Sequence, residues 1–340
     1  SFSIIISDEY FYHMKKVILC NTTRNHLRLL IPLIKSLCKR DAEVLLYCNS
    51  GEIANDTINH TVVDLLTTYK SFHAMDLSNQ DGMWEFAKDA DSLLVTSGTS
   101  NQYHQFDYNL CKALPCKSFT IQHGISQEGI TRLPKYHFSS DHVLTWVKDE
   151  YILPDVTTPR EKFIPIGVPN HFYEQTEKVE GANVIFFTNG FDRPNGEDLK
   201  LTRSGTEWGG IYTENWKDDT WKDIENRFDN DEVCYFVRHP TNNGGSLHPV
   251  LESILQKPNK HLVDNQWLHD NNINRSQLYS LGSKYFIIYP SSCFIDCALN
   301  SLDYEVFIDY NGNVPVLSDV KEVLAGLNVT EQITDLLLED

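Results

Sequence analysis

The segment from Gln122 to Glu128 carries side chains that could transfer a proton. Gln122, His123 and Gly124 follow directly after Lys117–Ile121, an apolar run of strand-like length. A glycine permits a sharp turn that leaves the imidazole exposed, and a neutral imidazole can act as a general base near pH 7. Glu128 is close enough in sequence to share the same crevice. We predict that His123 or Glu128 is catalytic; the alternative is a histidine held by a backbone carbonyl.

A cationic pair follows another strand-like run in the second half of the chain. Arg238 and His239 stand at the end of Cys234–Val237, and Pro240 comes next. Proline has no amide proton, so it suits the first position of a helix or a rigid turn. Arginine and protonated histidine at such a turn can bind phosphate oxygens. This segment is therefore a candidate for the phosphate side of a nucleotide site.

Paired hydroxyls precede a predicted helix further along the chain. Ser291 and Ser292 follow a strand-like run, and the apolar residues after them repeat at helical spacing. Either serine would cap that helix and leave backbone amides facing an anion, and Asp296 could reach ribose hydroxyls. The alternative is an ordinary serine cap without a ligand. The complete predicted donor-binding set is Thr188, Asn189, Gly190, Arg238, His239, Pro240, Ser291, Ser292 and Asp296.

Two loops in the first half occupy the same position relative to their strands. His26 follows the opening strand, and the small-residue turn Thr96–Ser100 follows another. Ligands of open parallel sheets bind beyond the carboxyl ends of the strands. Taken alone, His26 is typical of any loop, and the turn is explained by turn chemistry as well as by an anion. With Gln122 and Gly124, His26 forms the predicted acceptor side.

Alternating strand-like and amphipathic segments position these residues. Such alternation predicts parallel sheets with helices on both faces. It stops in a polar stretch and restarts at Asn183, so we predict an α/β protein with two Rossmann-like domains facing a central cleft. The domains are 14–170 and 183–340, joined by a linker at 171–182; residues 199–220 are not assigned. The predicted strands are Lys16–Cys20, Glu43–Cys48, Ser92–Thr96, Lys117–Ile121, Val143–Trp146, Phe163–Ile166, Asn183–Thr188, Cys234–Val237, Phe286–Tyr289 and Glu305–Ile308.

Composition narrows the classes of protein. The 340-residue chain has a formal net charge of −18, which would repel a nucleic-acid backbone or an anionic membrane. No apolar stretch approaches the ~20 residues of a membrane span. We expect a cytoplasmic protein with at most peripheral contact with the inner membrane. Eight cysteines without a Cys-x-x-Cys pair predict buried reduced thiols, so neither a disulfide frame nor a metal site is expected.

The motifs together resemble those of a known group of enzymes. Gln122-His123-Gly124, Arg238-His239-Pro240 and Ser291-Ser292 before a helix occur in this order. The set resembles bacterial glycosyltransferases of the GT-B fold that build capsules and surface polysaccharides. Most similar are those with cytidine-activated donors: polysialyltransferases, transferases of 3-deoxy-manno-octulosonic acid, and CDP-glycerol glycerophosphotransferases. The resemblance runs from Val17 to about Tyr310 through short motifs only.

The resemblance implies a metal-independent transferase without a cofactor. It would move a sugar from a CMP- or CDP-linked donor to a glycan or glycolipid acceptor, in capsule or lipopolysaccharide synthesis. In those families a His-Pro pair and a Ser pair hold the cytidine phosphate, here His239-Pro240 and Ser291-Ser292, and a His-Gly element, here His123-Gly124, lies beside the reacting centre. The alternatives are a UDP-sugar 2-epimerase of the same fold and a non-catalytic binder of a small anion. An NAD enzyme is disfavoured because no G-x-G-x-x-G follows the first strand.

Overall fold

Twelve strands form the framework of the described chain. The computed structural model describes residues 14–54, 56, 58–188, 190–194, 216–228, 230–240, 244–288, 291–307 and 320–340. The strands are β1 (Lys16–Asn21), β2 (Glu43–Cys48), β3 (Phe72–Asp76), β4 (Ser92–Val95), β5 (Lys117–Ile121), β6 (His142–Thr145), β7 (Phe163–Pro165), β8 (Asn183–Phe186), β9 (Cys234–Val237), β10 (Lys260–Val263), β11 (Lys284–Ile288) and β12 (Tyr304–Phe307).

These strands make two sheets, one in each half of the chain. The first has the order β3-β2-β1-β4-β5-β6-β7 and the second the order β10-β9-β8-β11-β12. Neighbouring strands are parallel in both sheets. The prediction of an α/β protein with two Rossmann-like domains is confirmed.

Helices connect the strands and cover both faces of each sheet, as parallel pairing requires. They are α1 (Arg24–Lys39), α2 (Ser50–Ala54), α3 (Asn59–Thr68), α4 (Gln80–Ala87), α5 (Gln105–Ala113), α6 (Trp216–Phe228), α7 (Pro249–Leu255), α8 (Asn265–Asp270), α9 (Cys293–Leu299), α10 (Val320–Val323) and α11 (Thr330–Leu338), with 3₁₀ turns at Gln102–His104, Asp149–Tyr151, Arg160–Lys162 and Arg275–Ser280. None of the helices in the described ranges is long and apolar enough to cross a membrane.

All ten strands predicted from the sequence are present, and their described ends lie within two residues of the predicted ones. Tyr289 and Ile308, predicted as the last residues of two strands, lie outside the described residues. Two edge strands, β3 and β10, are not among the strands predicted from the sequence. Only Phe72 is buried in β3, and only the first and last residues of β10, Lys260 and Val263, are buried. An edge strand has fewer covering neighbours, so it lacks the continuous apolar run that marks a central strand.

The last helix departs from the predicted domain boundary. We predicted that 183–340 forms the second domain, but α11 packs against α1 of the first. Ile333 and Leu337 are buried in the core formed by α1, α3 and one face of the first sheet. The Leu337 carbonyl also accepts a hydrogen bond from the Ser92 hydroxyl at 2.9 Å. Burying two such side chains stabilises this return by several kcal/mol, on the order of 1.5–3 kcal/mol each.

Two chain segments cross side by side between the domains. Val168 pairs with Leu327 in an isolated parallel bridge, and Val147 pairs with Leu324 in an antiparallel one. Gly167 has a φ of +114°, and a Cβ on it would lie 2.5 Å from the carbonyl oxygen of Gly326. Glycine at 167 is therefore required by both its conformation and this close approach. A core that includes Trp146, Val168, Val184 and Ile287 unites the two domains around this crossing.

Candidate active site

The first sheet reverses its strand order between β1 and β4. Connections lead outward from β1 to β2 and β3 on one side, and from β4 to β7 on the other. Such a switch point opens a crevice at the carboxyl ends of the two strands, where ligands bind in open α/β sheets. His26, in the first turn of α1, and Thr96, directly after β4, meet there: His26 Nδ1 lies 2.9 Å from Thr96 Oγ1. The asparagine that ends β1, Asn21, is 1% exposed, and its Oδ1 has no hydrogen-bond partner among the described residues.

His123 joins this pair from the loop after β5. Its ring stacks on His26 with centroids 4.0 Å apart and an interplanar angle of 29°. Its Nδ1 hydrogen-bonds to the carbonyl oxygen of Thr96. A carbonyl only accepts, so Nδ1 must carry the proton and a neutral His123 must have its lone pair on Nε2. The backbone carbonyl considered from the sequence therefore does hold the ring, and the same bond leaves the Nε2 lone pair free of the Thr96 contact; the catalytic role of His123 stays a prediction.

Burial keeps both imidazoles neutral at physiological pH. Desolvation lowers the pKa of His123 to about 4; the bond to Thr96 opposes this shift, as does the charge of Glu128. Desolvation and the neighbouring His123 hold the pKa of His26 well below its usual value. An imidazole that stays neutral can accept a proton from a hydroxyl group throughout the neutral range.

Glu128 is held by polar partners in the same loop. Asn101 Nδ2 donates to Glu128 Oε2 at 2.8 Å, and an Arg132 Nη lies 3.3 Å from Oε1. His104 Nδ1 is 3.9 Å from Oε2 and 2.7 Å from the hydroxyl of Thr99. Both carboxylate oxygens are engaged, so the geometry favours His123 over Glu128 as the base and gives Glu128 an electrostatic role beside it.

Gln122 and Gly124 shape the loop from inside. Gln122 is fully buried; its Oε1 accepts the backbone N–H of Trp146 at 2.7 Å, and its Nε2 donates to the carbonyl of Gly124 at 2.8 Å. A side chain so enclosed cannot contact an acceptor, so its predicted acceptor-side position is corrected to a structural one. The left-handed freedom expected of Gly124 is not used, because glycines with positive φ in this loop include Gly129 but not Gly124.

The second sheet has its own switch point, between β8 and β11. Buried Thr188 follows β8, and its carbonyl accepts the N–H of Phe191 at 3.2 Å. Gly190 has a φ of +85°, a conformation that favours glycine, and its carbonyl accepts from Lys217 at 3.3 Å. Asn189 lies outside the described residues. Thr188 and Gly190 therefore lie just beyond the carboxyl end of β8, and their contact with a donor stays a prediction.

Arg238 is turned into the core. It is 2% exposed and forms an ion pair with Asp192, which is fully buried, and it also donates to the carbonyl of Gly244 at 3.2 Å. A buried guanidinium neutralised in this way is not available to a phosphate. Its predicted contact with the donor is corrected: Arg238 fixes the loop after β9, because a buried charge must be paired.

His239, Pro240 and the serine pair lie at the carboxyl edge of the second sheet. His239 is half-buried and Pro240 exposed at the end of β9, and β8 separates that strand from β11. Strand spacing puts β9 and β11 about 10 Å apart, within the span of a nucleotide diphosphate. Ser291 Oγ accepts the N–H of Cys293 at 3.3 Å, whereas Ser292 occupies the N-cap position without a side-chain cap bond. Ser291 thus performs the capping, and Ser292 is exposed.

Both carboxylate oxygens of Asp296 accept hydrogen bonds from tyrosine side chains. Tyr173 donates to its Oδ1 at 2.5 Å and Tyr279 to its Oδ2 at 3.0 Å. Burial and the carboxylate together raise the pKa of both phenols, so both remain donors. The predicted contact of Asp296 with ribose is corrected to a structural one, since Tyr173 belongs to the linker and the carboxylate ties that linker to α9.

Arg275 is a functional candidate that the sequence analysis missed. Its guanidinium donates to the carbonyl of Arg238 at 3.0 Å and to Asn265 Oδ1 at 3.1 Å, and burial lowers its pKa, which the charge of Asp264 opposes. No carboxylate of the described residues lies within 4.0 Å of it. Arg275 thus lies near the carboxyl end of β9 without a direct ion pair to any described residue. Arg275 precedes a strand in the sequence instead of following one. A search for polar residues directly after predicted strands therefore does not find it.

A groove of about 650 Å³ lies between the domains. The linker residue Glu174 connects its walls: Oε1 is 3.0 Å from His60 Nε2 on α3, and Oε2 accepts from Asn274 Nδ2 of the second domain. Gln175 and Gln277 add amide groups to the lining. Such planar amides and carboxylates suit a ligand rich in hydroxyl groups.

The His, Cys, Asp and Glu side chains of the described residues show how metal ligation and disulfides stand. The described residues contain no group of three or more His, Cys, Asp or Glu side chains that could hold a metal ion. All eight cysteines are free thiols, and six of them are buried. The prediction of reduced cysteines packed in the cores agrees with this arrangement.

Comparisons with known proteins give similarities in structure only. No protein-family model and no curated protein matches the sequence. A glycosyltransferase from Rickettsia africae ESF-5 is 10% identical, with 96% of this chain and 93% of that one covered and a TM-score of 0.45. The glycosyltransferase SnogD from Streptomyces nogalater is 12% identical, with 86% and 82% covered and a TM-score of 0.43. A protein described as a UDP-N-acetylglucosamine 2-epimerase, from Listeria monocytogenes, is 12% identical, with 95% and 88% covered and a TM-score of 0.49. None of these similarities assigns an activity to this chain.

Proposed function

We propose that this protein transfers a sugar from a nucleotide donor, CMP- or CDP-linked, to a glycan acceptor in surface-polysaccharide synthesis. The observation that carries the proposal is the bond from His123 Nδ1 to the Thr96 carbonyl. It leaves a neutral nitrogen base at the switch point of one domain, and the other domain presents cationic and hydroxyl groups at its own switch point. A base and a phosphate site on two Rossmann-like domains are the two parts that such a transfer needs.

The donor phosphates would lie at the second sheet. Arg275, His239 and Ser292 line its carboxyl edge, and no carboxylate of the described residues forms a direct ion pair with Arg275. A preorganised cation and hydroxyl groups would stabilise the charge that develops on the departing phosphate. This arrangement would let the reaction proceed without a bound metal.

The acceptor hydroxyl would face His123. The proton of the acceptor hydroxyl moves to His123 Nε2, and the hydroxyl oxygen forms a bond to the anomeric carbon of the donor. At the same time the bond from that carbon to the donor phosphate breaks, and its electron pair goes to the phosphate. A direct displacement of this kind inverts the configuration at the anomeric carbon. The groove beside Glu174 would hold the next sugars of the acceptor chain, because amides and a carboxylate line it.

Isothermal titration with CMP, CDP and UDP tests the donor site. We expect a preference for the cytidine nucleotides and at least a tenfold loss of affinity in Arg275→Ala and His239→Ala. Arg227→Ala is the matched control, since Arg227 pairs with Glu305 and lines a cavity with Asn183 and Lys284, the first residues of β8 and β11. Equal affinity for all three nucleotides, or unchanged binding in Arg275→Ala, would remove the donor claim.

An NMR time course with donor alone and with donor plus acceptor separates the proposed transfer from its alternatives. Transfer requires the acceptor, whereas a 2-epimerase would convert the donor without one. A non-catalytic binder would leave the donor unchanged in both samples. Consumption of donor only when a glycan is present is the expected result.

A further inference from the structure

A buried carboxyl group lies directly behind the histidine pair. Asp107, in the first turn of α5, is 1% exposed. Its Oδ2 accepts the backbone N–H of Ser97 at 3.0 Å, and its Oδ1 accepts the thiol of Cys20 at 3.4 Å. A carboxyl group at such a depth is costly to maintain, so its polar contacts need an explanation.

The N–H that Asp107 accepts and the carbonyl that His123 contacts belong to one peptide group. That peptide joins Thr96 to Ser97, so the order of atoms is Asp107 Oδ2, Ser97 N–H, Thr96 C=O and His123 Nδ1. The peptide is planar, so a carboxyl group that fixes its N–H also fixes the direction of its C=O. Hydrogen bonds in such a chain polarise one another, so a carboxylate at one end strengthens the carbonyl as an acceptor at the other.

The groups around Asp107 leave it free to titrate near neutrality. Burial raises its pKa to about 7, and the bonds from Cys20 and Ser97 oppose that shift. Facing it are Cys20 from β1 and Cys111 from α5, and burial raises the pKa of both thiols. On the far side of the peptide the pKa values of His26 and His123 are lowered, so neither ring charges in the same range.

We propose that Asp107 is a positioning residue, which orients the Thr96–Ser97 peptide and through it holds His123 with its proton on Nδ1 and its lone pair on Nε2. Asp107 touches no substrate; it acts through one peptide group. Its importance for turnover rests on the proposed function, whereas the relay of hydrogen bonds does not.

Nitrogen-15 NMR of the full chain labelled at histidine tests the relay without any substrate. The resonances of His123, assigned with His123→Gln, should report the Nδ1–H tautomer and should shift with an inflection near pH 7 as Asp107 titrates. Asp107→Asn should abolish that inflection. Asp141→Asn is the matched control, because Asp141 accepts the N–H of Ser118 at 2.8 Å at the other end of β5. An inflection that persists in Asp107→Asn would overturn the proposal.

A second variant covers the case in which Asp107→Asn does not fold. Cys20→Ala removes the thiol that donates to Asp107 and leaves the peptide untouched. That bond lowers the pKa of Asp107, so the inflection of His123 should move to higher pH. An unmoved inflection would contradict the relay.

Turnover gives a separate readout if the chain proves to be a transferase. Asp107→Asn should then lower kcat about tenfold and leave the KM for the donor unchanged, because the donor phosphates lie on the other domain. An unchanged kcat would overturn the positioning role in catalysis. If no transfer occurs in the wild type, the proposed function fails and the NMR result still decides the relay.

Discussion

His26 and His123 stack at 4.0 Å, although His26 lies in the first turn of α1, after β1, and His123 in the loop after β5. Thr96, after the intervening strand β4, anchors both rings, one through its hydroxyl and one through its carbonyl. Three consecutive strands of the sheet, β1, β4 and β5, therefore contribute to one small cluster. This cluster, and not either histidine alone, is the feature from which the predictions on activity follow.

Replacing His123 by alanine should lower the rate of transfer by about 10²–10⁴-fold, the range that a general base contributes. Donor affinity should not change, because the predicted phosphate contacts lie in the second domain. The measurement is kcat together with nucleotide affinity by titration calorimetry. His73→Ala serves as the control, since His73 lies on the edge strand β3 and pairs with Glu43. Equal rates in the two variants would exclude His123 as the base.

Asp107 should make the stability of the chain depend on pH. Its pKa is raised from 3.8 to about 7 in the folded state, so the folded chain binds this proton more tightly than the unfolded one. Its contribution to stability is therefore present at low pH and is lost as the pH rises from about 4 to 7, by up to about 4 kcal/mol in total. In urea unfolding at several pH values, the free energy of unfolding of Asp107→Asn should increase relative to that of the wild type through this pH window. Above the window the difference between the two should be constant. A difference that does not vary with pH would contradict the raised pKa.

Substitution of Arg238 should lower the stability of the protein, whereas substitution of Arg275 should weaken nucleotide binding. Arg238→Ala removes the guanidinium that pairs with the buried carboxylate of Asp192, so we expect a loss of about 3–5 kcal/mol in the free energy of unfolding. Arg275→Ala should unfold near the wild-type denaturant concentration and lose nucleotide binding. Replacing Arg238 and Asp192 together by methionine and leucine should recover much of the lost stability. A stable Arg238→Ala variant that binds nucleotide weakly would restore Arg238 to the donor site.

Two glycines with positive φ give a matched pair for the domain crossing. Gly167→Ala should destabilise the chain by about 3 kcal/mol or more, because a Cβ there would meet Gly326 in addition to the strained conformation. Gly181 has a φ of +76° with nothing within 4 Å, so Gly181→Ala should cost only about 1 kcal/mol. Thermal unfolding of the two variants measures the difference. Similar melting temperatures would argue against a tight crossing at Gly167.

The sequence predicts the framework well and the site in part, for identifiable reasons. Central strands such as β5 and β9 are buried on both faces, so their apolar runs mark them to the residue. Once the strands are known, the positions of residues that come shortly after them, such as His26 and His123, can be predicted as well. Whether a polar side chain points into the cleft or the core depends on partners far away in the chain, as Asp192 shows for Arg238. No local pattern encodes those partners.

The double crossing at Gly167 and Gly326 has a mechanical consequence. A pair of domains joined by one flexible strand can twist and slide as well as open. Here one segment of the chain leaves the first domain at Val168, and a later segment returns at Leu327. The two segments are paired by a β-bridge. The core shared by the two domains around this crossing, with Trp146 from one side and Val184 from the other, adds a further restraint. Two paired segments and a common core should therefore keep the switch points of the two sheets at a nearly constant separation.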